Sequence, residues 1–479
     1  MGVEVKESQD RWKYVVMGAK FCLDCLTQGL LKAFGVLVPP LVQKLDTDYG
    51  TIGFMLAMEL TVFFLACPLS SVASRKIPPR TLCIVGSVGA SVAIMVSGYL
   101  SSTLWFGVAM FLTGFLSSPI NQISHVVLHQ YYGERFGYAN SMCLMGCLVG
   151  GIAFPVLTSS LLESYGLEGA LLCIGGVFLN CVPIAMTLRP PSDFVEATCP
   201  VPFIGDTQKC STEEQEPCLP SKDSDNVMEL SSLEHPTPPD SDPPGNSETE
   251  PPLSMWGRWW HFVWVELGVR ALVQEWAFTV LFMPCKVILQ VAMVSWTLFI
   301  VSFGMSKGYE EPEAAYLPLV GSIGGFIFQG LITVILHYRQ RWGAALFIIN
   351  MISLAAAMCL YPAHTSFAYL LACSFFAGGG IFAGFAASYA VLVTYVSEAN
   401  FTGMLSTKLF ITGIGVVVSG YVTGKLYDVT GSLDVVFRIV GGMCAVTVLL
   451  TVALVSLKRY QKGKASKAVE SGSGLGTVV

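Results

Sequence analysis

The sequence predicts an all-α membrane protein with twelve transmembrane helices in two six-helix bundles. Three observations carry this reading. Of 479 residues, 53% are hydrophobic and only 13% are charged, with mean hydropathy +0.62, whereas a soluble protein of ordinary composition carries about 25% charged residues. The apolar residues gather into twelve continuous runs of the length, roughly 20 residues, that a helix needs to cross about 30 Å of hydrocarbon. A polar, proline-rich stretch then divides these runs six and six. A disordered chain, a fibrous repeat and a disulfide-rich secreted domain are excluded by composition. A membrane barrel is excluded because the runs are continuous rather than alternating.

The first six spans are predicted at 14–39, 51–72, 81–101, 103–129, 137–161 and 167–188, making residues 1–189 the N-terminal half. The opening segment from Met1 to Lys13 is polar and leads directly into a full-length span, so no cleavable signal peptide is expected. Residues 190–255 hold 13 of the 25 prolines and 14 Asp/Glu against 2 Lys, a local charge of −12 within a formal net charge of −6. The remainder of the chain is therefore basic, and the stretch reads as a disordered acidic linker. Residues 256–275 begin with Trp256, Trp259, Trp260 and Trp264, a density that suits a helix lying at the membrane interface. The second half, 276–457, carries spans at 276–303, 315–337, 343–361, 367–396, 404–425 and 433–456, followed by a tail at 458–479.

Basic residues set the orientation. One set of helix ends carries Lys6, Arg11 and Lys13, then Arg75, Lys76 and Arg80, then Arg135, Arg339 and Arg341, and finally Lys458, Arg459, Lys462, Lys464 and Lys467. The other set carries Lys44, Lys307 and Lys425. Both termini are thus expected in the cytoplasm of a multi-pass plasma-membrane protein. The sequon Asn400-Phe401-Thr402 falls on the same side and should stay unglycosylated. Linker cysteines Cys199, Cys210 and Cys218 would be free thiols there, and Cys22, Cys25, Cys83, Cys143 and Cys147 lie within apolar runs as small hydrophobes.

Ionisable groups inside spans are costly and are functional candidates by default. Span one carries Lys20, Asp24, Gln28 and Lys32. Steps of four residues advance about 40° each, so the four make one slanting stripe facing a wet cavity or another helix. Asp24 sits roughly 15 Å from the cytoplasmic end, and Lys20 is spaced to pair with it. Glu59 enters span two from the outside to a depth of roughly 12 Å. Lys286 lies in span seven at about the depth of Asp24, just after Pro284, which should kink that helix. Lys408 is read as snorkelling to the headgroups. His125 and His129 are read as local hydrogen-bonders. The glycines Gly378, Gly379, Gly380, Gly384, Gly413, Gly415 and Gly420 read as close helix packing.

No phosphate loop, metal-ligand spacing or catalytic triad is present, so neither an enzyme, a metal site nor a cofactor is expected. No basic domain supports nucleic-acid binding. No ring of like charges or filter-like loop suggests a channel.

Several stretches resemble the monocarboxylate transporter family of the major facilitator superfamily. Into span five run Tyr131, Tyr132, Arg135, Ala139, Asn140, Gly146 and Gly150; span six offers Tyr165, Gly166, Gly169, Gly175, Gly176, Leu179, Asn180, Cys181 and Arg189-Pro190. Lys32-Ala33-Phe34-Gly35-Val36 is similar to the family's Lys-Ser-Phe-Gly-Val, and Gly424-Lys425-Leu426-Tyr427-Asp428 with Gly431 also matches. The resemblance implies a divergent member with the major facilitator fold, alternating access, and a role for Lys32 in handling substrate and proton. The chain departs from the pattern at the opening signature, which reads Gln9-Asp10-Arg11-Trp12-Lys13-Tyr14. In span eight, Gly325 and Gln329 stand where proton-coupled members carry Asp and Arg.

These readings converge on a carrier of a small organic solute, expected to bear a carboxylate, with or without a proton. A carrier of a zwitterionic or larger amphipathic acid remains a second reading, and a non-transporting receptor or scaffold a third. The candidate site comprises Lys32, Asp24, Lys286, Glu59, Gln329 and Gln28, with Asp24 as the resting partner of Lys286. Partners in view are the lipid bilayer, a single-span ancillary glycoprotein of the kind some relatives use, and a PDZ domain at Thr477-Val478-Val479.

Overall fold

The computed structural model describes residues 2–191 and 269–473. Most of the 190–255 linker, the tryptophan cluster at Trp256–Trp264 and the ending Thr477-Val478-Val479 lie outside the described residues.

Every regular element among the described residues is a helix. In the first half α1 spans Gly2–Leu45, α2 Tyr49–Leu65, α3 Cys67–Lys76, α4 Pro79–Ser97, α5 Thr103–Tyr132, α6 Phe136–Phe178 and α7 Cys181–Met186. In the second, α8 spans Val269–Gln274, α9 Trp276–Ser306, α10 Glu311–Ala314, α11 Tyr316–Tyr338, α12 Gly343–Leu360, α13 Phe367–Tyr395, α14 Phe401–Thr430 and α15 Leu433–Ser473.

Local chemistry explains several boundaries. The Asp48 carboxylate accepts from the Thr51 amide at 2.9 Å and starts α2, satisfying a donor the first turn leaves free. α2 and α3 meet at a bend of 44°; Pro68, near the start of α3, has no N–H to continue the ladder. Gly166, at φ 67° and ψ −174°, divides α6 into two helices, a backbone conformation open to glycine. Gly431 ends α14 in the left-handed conformation. Pro284 lies inside α9, which stays helical through it. By length and hydropathy nine described helical segments can cross a membrane, or ten with the bent pair taken as one. One of these is the 84-residue stretch Thr103–Met186, interrupted at 133–135 and again at Gly166, so it has room for the three crossings the sequence places there. α15 continues as helix to Ser473, well past the predicted end of span twelve.

Packing builds two halves within one compact unit. In the first, α1 lies along α6, and α5 packs on α2 and α4; in the second, α13 packs on α11 and α12, and α9 on α14 and α15. Two seams join the halves: α14 against α2 and α3, and α6 against α11 and α13. Glycines make the close approaches. A Cβ on Gly150 would run into the Cys25 carbonyl of α1, and one on Gly378 into the backbone of Gly321. The predicted packing role of Gly378 is realised there, in the manner of small-residue contacts between membrane helices.

Glu134, Arg341, Lys458 and Arg459 share one cleft, which marks the end of the bundle called the basic face below. There Lys458 pairs with Glu275 at 2.9 Å. At the opposite face Lys44 pairs with Glu168 at 2.7 Å and Lys307 with Asp434 at 2.8 Å.

Candidate functional site

Between the halves lies a cavity of about 150 Å³. α1 contributes Asp24 and Gln28, α5 Asn121 and His125, α9 Lys286, Gln290 and Met293, α11 Gln329, and α13 Phe382, Phe385 and Tyr389. Four of the six candidates, Asp24, Gln28, Lys286 and Gln329, therefore meet at one cavity, two from each half. The two others lie apart. Lys32 is exposed on α1 one turn beyond Gln28, its stem beside Gly151 of α6. Glu59 is buried in a small neighbouring pocket that shares Gln28, Leu31 and Leu60 with the cavity.

Asp24 is not the partner of Lys286. Its carboxylate accepts from Lys20 Nζ at 2.9 and 3.0 Å, and both residues are buried. The i,i+4 contact lies within one helix and needs no approach of the two halves. Lys286 Nζ instead donates to Ser388 Oγ at 3.2 Å and lies 4.3 Å from the centre of the Phe385 ring. Among the described residues no carboxylate pairs with it.

Lys408 does not snorkel. It is 1% exposed, its Nζ has no hydrogen-bond partner, and it lies 2.8 Å from the centre of the Tyr389 ring. A desolvated ammonium over an aromatic face gains about 2 kcal/mol from the ring's charge distribution. His125 stacks on Tyr389 with centroids 5.1 Å apart and planes 15° apart. His125 Nδ1 donates to the Asn121 carbonyl at 2.7 Å, the local bond foreseen, while Nε2 is buried without a partner. The reading of the sequence left out of the site Tyr389 and His125, which line the cavity, and Lys408, which lies under the Tyr389 ring. A lysine seven residues into an apolar helix was the available signal.

Contacts between the halves gather on the basic-face side of the cavity. Gln329 Nε2 donates to the Ser141 carbonyl at 3.1 Å, Ser141 and Thr333 hydroxyls lie 2.7 Å apart, and Gln122 Nε2 donates to Ser406 Oγ at 2.7 Å. His129 stacks on Phe401 at 3.5 Å, and Gly137 lies against Ala390. Together they form a plug of side chains under the cavity floor.

A bundle of two apolar helical halves with a polar, charged cavity on their seam defines a polytopic membrane protein with an internal cavity. The Major Facilitator Superfamily model matches residues 21–365, and the chain belongs to that superfamily. Among curated proteins it is similar to Monocarboxylate transporter 11 of Homo sapiens, 28% identical over 181 residues that cover 37% of this chain and 38% of the relative. Monocarboxylate transporter 6 of Homo sapiens is 28% identical over 203 residues, covering 41% and 40%. Monocarboxylate transporter 4 of Gallus gallus is 27% identical over 198 residues, covering 40% and 42%. The match thus spans about two fifths of these relatives. Solved structures of similar fold include the major facilitator transporter FucP in the outward conformation, with TM-score 0.60 at 13% identity over 92% of this chain and 98% of that one. The nucleoside transporter NupG follows with TM-score 0.53 at 14% identity, covering 92% and 99%.

Proposed function

We propose that the chain is a divergent member of the monocarboxylate transporter branch and carries a small organic acid across the plasma membrane by alternating access. One observation carries this: Lys286 faces a cavity shared by both halves and has no carboxylate partner there among the described residues. Lys20 and Asp24 offset each other, so Lys286 leaves the cavity with an excess of positive charge that an anion relieves. Burying an unpaired charge is costly, and a carboxylate settling on Lys286 lowers that cost only in the state that holds it. Such a difference between states is what a ligand needs to shift an equilibrium.

Gln290 and Gln329 supply amide donors beside Lys286, and Phe382, Phe385 and Met293 supply an apolar wall for the solute's tail. The set fits a monocarboxylate better than a zwitterion, because Asp24 is already engaged by Lys20 and offers an ammonium little. With both termini in the cytoplasm, the plug under the cavity is a closed inner gate, and Lys32 stands exposed on the outer approach as a first electrostatic contact for an anion. The site lies on the pseudo-symmetric seam where such carriers bind their cargo.

The test is flux. Purified protein in liposomes is offered a panel of radiolabelled monocarboxylates, amino acids and neutral analogues at two pH values. Saturable uptake confined to the acids is the expected result. Uptake confined to amino acids or neutral compounds, or no uptake of any member, overturns the reading.

A further inference from the structure

Three acids in the predicted spans do not line the central cavity: Glu168 and Asp434, at span ends, pair with Lys44 and Lys307, and Glu59 is buried. Its side chain is 5% exposed, and its Oε2 is buried without a hydrogen-bond partner. It faces a separate pocket with Thr27 and Gln28 of α1, Ser117 of α5 and Phe178 of α6. The space is about 10 Å³, close to what a single water needs.

Among the described residues the lining of this pocket holds no countercharge. α5 presents Ser117 and Gly114, whose Cα faces the Glu59 backbone. α1 presents Thr27 and Gln28; its ionisable neighbours are Asp24, tied to Lys20, and Lys32, exposed a turn away. α14 meets α2 through Gly413 against Leu65, while its Lys408 is held under Tyr389. α3 follows α2 past the bend and brings Arg75 and Lys76 at its far, basic-face end. A carboxylate left ionised in such a place is strongly disfavoured, whereas a neutral carboxyl sits there at little cost. Gln28 lines both this pocket and the cavity, so a change at Glu59 reaches the solute site through one side chain.

We propose that Glu59 is the site of the coupling proton: its carboxylate takes a proton from water on one side, crosses as a neutral carboxyl in the loaded carrier, and returns the proton to water on the other. One O–H bond forms and later breaks, with no other reactant. The inference rests on the carrier reading and deepens it, because α11, which lines the central cavity through Gln329, carries no acid that could take the proton in place of Glu59. The space of about 10 Å³ suits a proton or one water rather than a hydrated cation, and the sodium arm of the test below separates the two.

Two measurements test it, and they fail separately. First, difference infrared spectra of wild type and Glu59→Gln in lipid nanodiscs are recorded across pH. A protonated-carboxyl C=O band present at neutral pH in the wild type and missing from the variant is expected. Absence of such a band, or a band that responds to sodium rather than pH, overturns the assignment even if no solute has been found. Second, liposomes clamped at zero membrane potential are given L-lactate or benzoate with an inward proton gradient. The ratio of gradient-driven accumulation to solute–solute exchange should fall at least tenfold in Glu59→Gln and recover in Glu59→Asp. An unchanged ratio overturns the proposal. If the wild type moves neither acid while the infrared band behaves as expected, the carrier reading fails for these acids and the proton site stands.

Discussion

Two buried ammonium groups decide the chemistry of the centre, and the fold treats them differently. Lys286 has a weak partner, Ser388 at 3.2 Å, and open space in front of it; Lys408 has an aromatic face and no hydrogen bond. The first is therefore placed to accept an anion, and the second is closed off. Replacing Lys286 by Gln should raise the KM for the transported acid at least tenfold, about 1.4 kcal/mol, while Lys286→Arg keeps the charge and a measurable part of the affinity. Uptake kinetics read both, and an unchanged KM in Lys286→Gln removes this lysine from the site. For Lys408 the expectation concerns stability. Tyr389→Leu takes away the ring and leaves the charge buried, which should lower the unfolding temperature in detergent. Lys408→Met removes the charge and should be neutral or stabilising, as replacing buried ions by apolar groups often is. The double variant should then recover most of the loss; additive effects would show that the lysine and the ring do not interact.

Helices and their contacts fix where these groups stand. Gly150 lets α6 touch the backbone of α1 beside Cys25, one residue after Asp24, so the placement of the Lys20–Asp24 pair depends on that approach. Gly150→Leu should push the helices apart and cost several degrees of thermal stability or most of the folded yield, whereas Gly18→Ala, with open space around it, should be silent. Equal effects would refute the packing argument. At the basic face, burial acts to raise the pKa of Glu275, but the Lys458 ammonium and the Ser397 amide outweigh it and hold the carboxyl below its ordinary value. A carboxyl shifted downward on folding stabilises above its unfolded value of about 4.3 and loses that contribution as pH falls through the folded one. The unfolding-temperature gap between wild type and Glu275→Gln should accordingly be present at pH 7 and vanish near pH 3. Element positions were legible in the sequence because twenty-residue apolar runs allow few alternatives, and even the Gly166 break lies between the predicted ends at 161 and 167. Depth was legible in part: Lys286 was expected at about the depth of Asp24, and the two line one cavity. Partners were not. Rotation about each helix axis and the closing of one half upon the other are tertiary facts, which is why Lys408 was assigned to the headgroups and Asp24 to Lys286.

At the scale of the molecule two seams join the halves around the cavity, and the proposed alternating access requires them to part in turn. Polar and aromatic contacts between halves collect below the cavity, through Gln122–Ser406, Ser141–Thr333, Gln329–Ser141 and His129–Phe401. Each is an ordinary hydrogen bond or ring contact worth about 1 kcal/mol net, with water or a new neighbour available to replace it once the halves part. A floor of many weak contacts is suited to reversible opening, whereas a single buried ion pair across the seam would resist it. Gly137 and Ala390 face each other in this floor, and a Cβ on the glycine would lie 2.8 Å from that of the alanine, so the two helices must ease apart by about 1 Å to seat a disulfide. Cysteines at both positions are then within its reach. In a background without reactive cysteines, oxidation of Gly137→Cys/Ala390→Cys should stop net flux, and reductant should restore it. The oxidised protein should still bind the solute from the open side, because the cavity above the floor is unaltered. Full flux through a completely cross-linked protein would mean that the floor never opens, and with it the rocking of one half against the other would have to be abandoned.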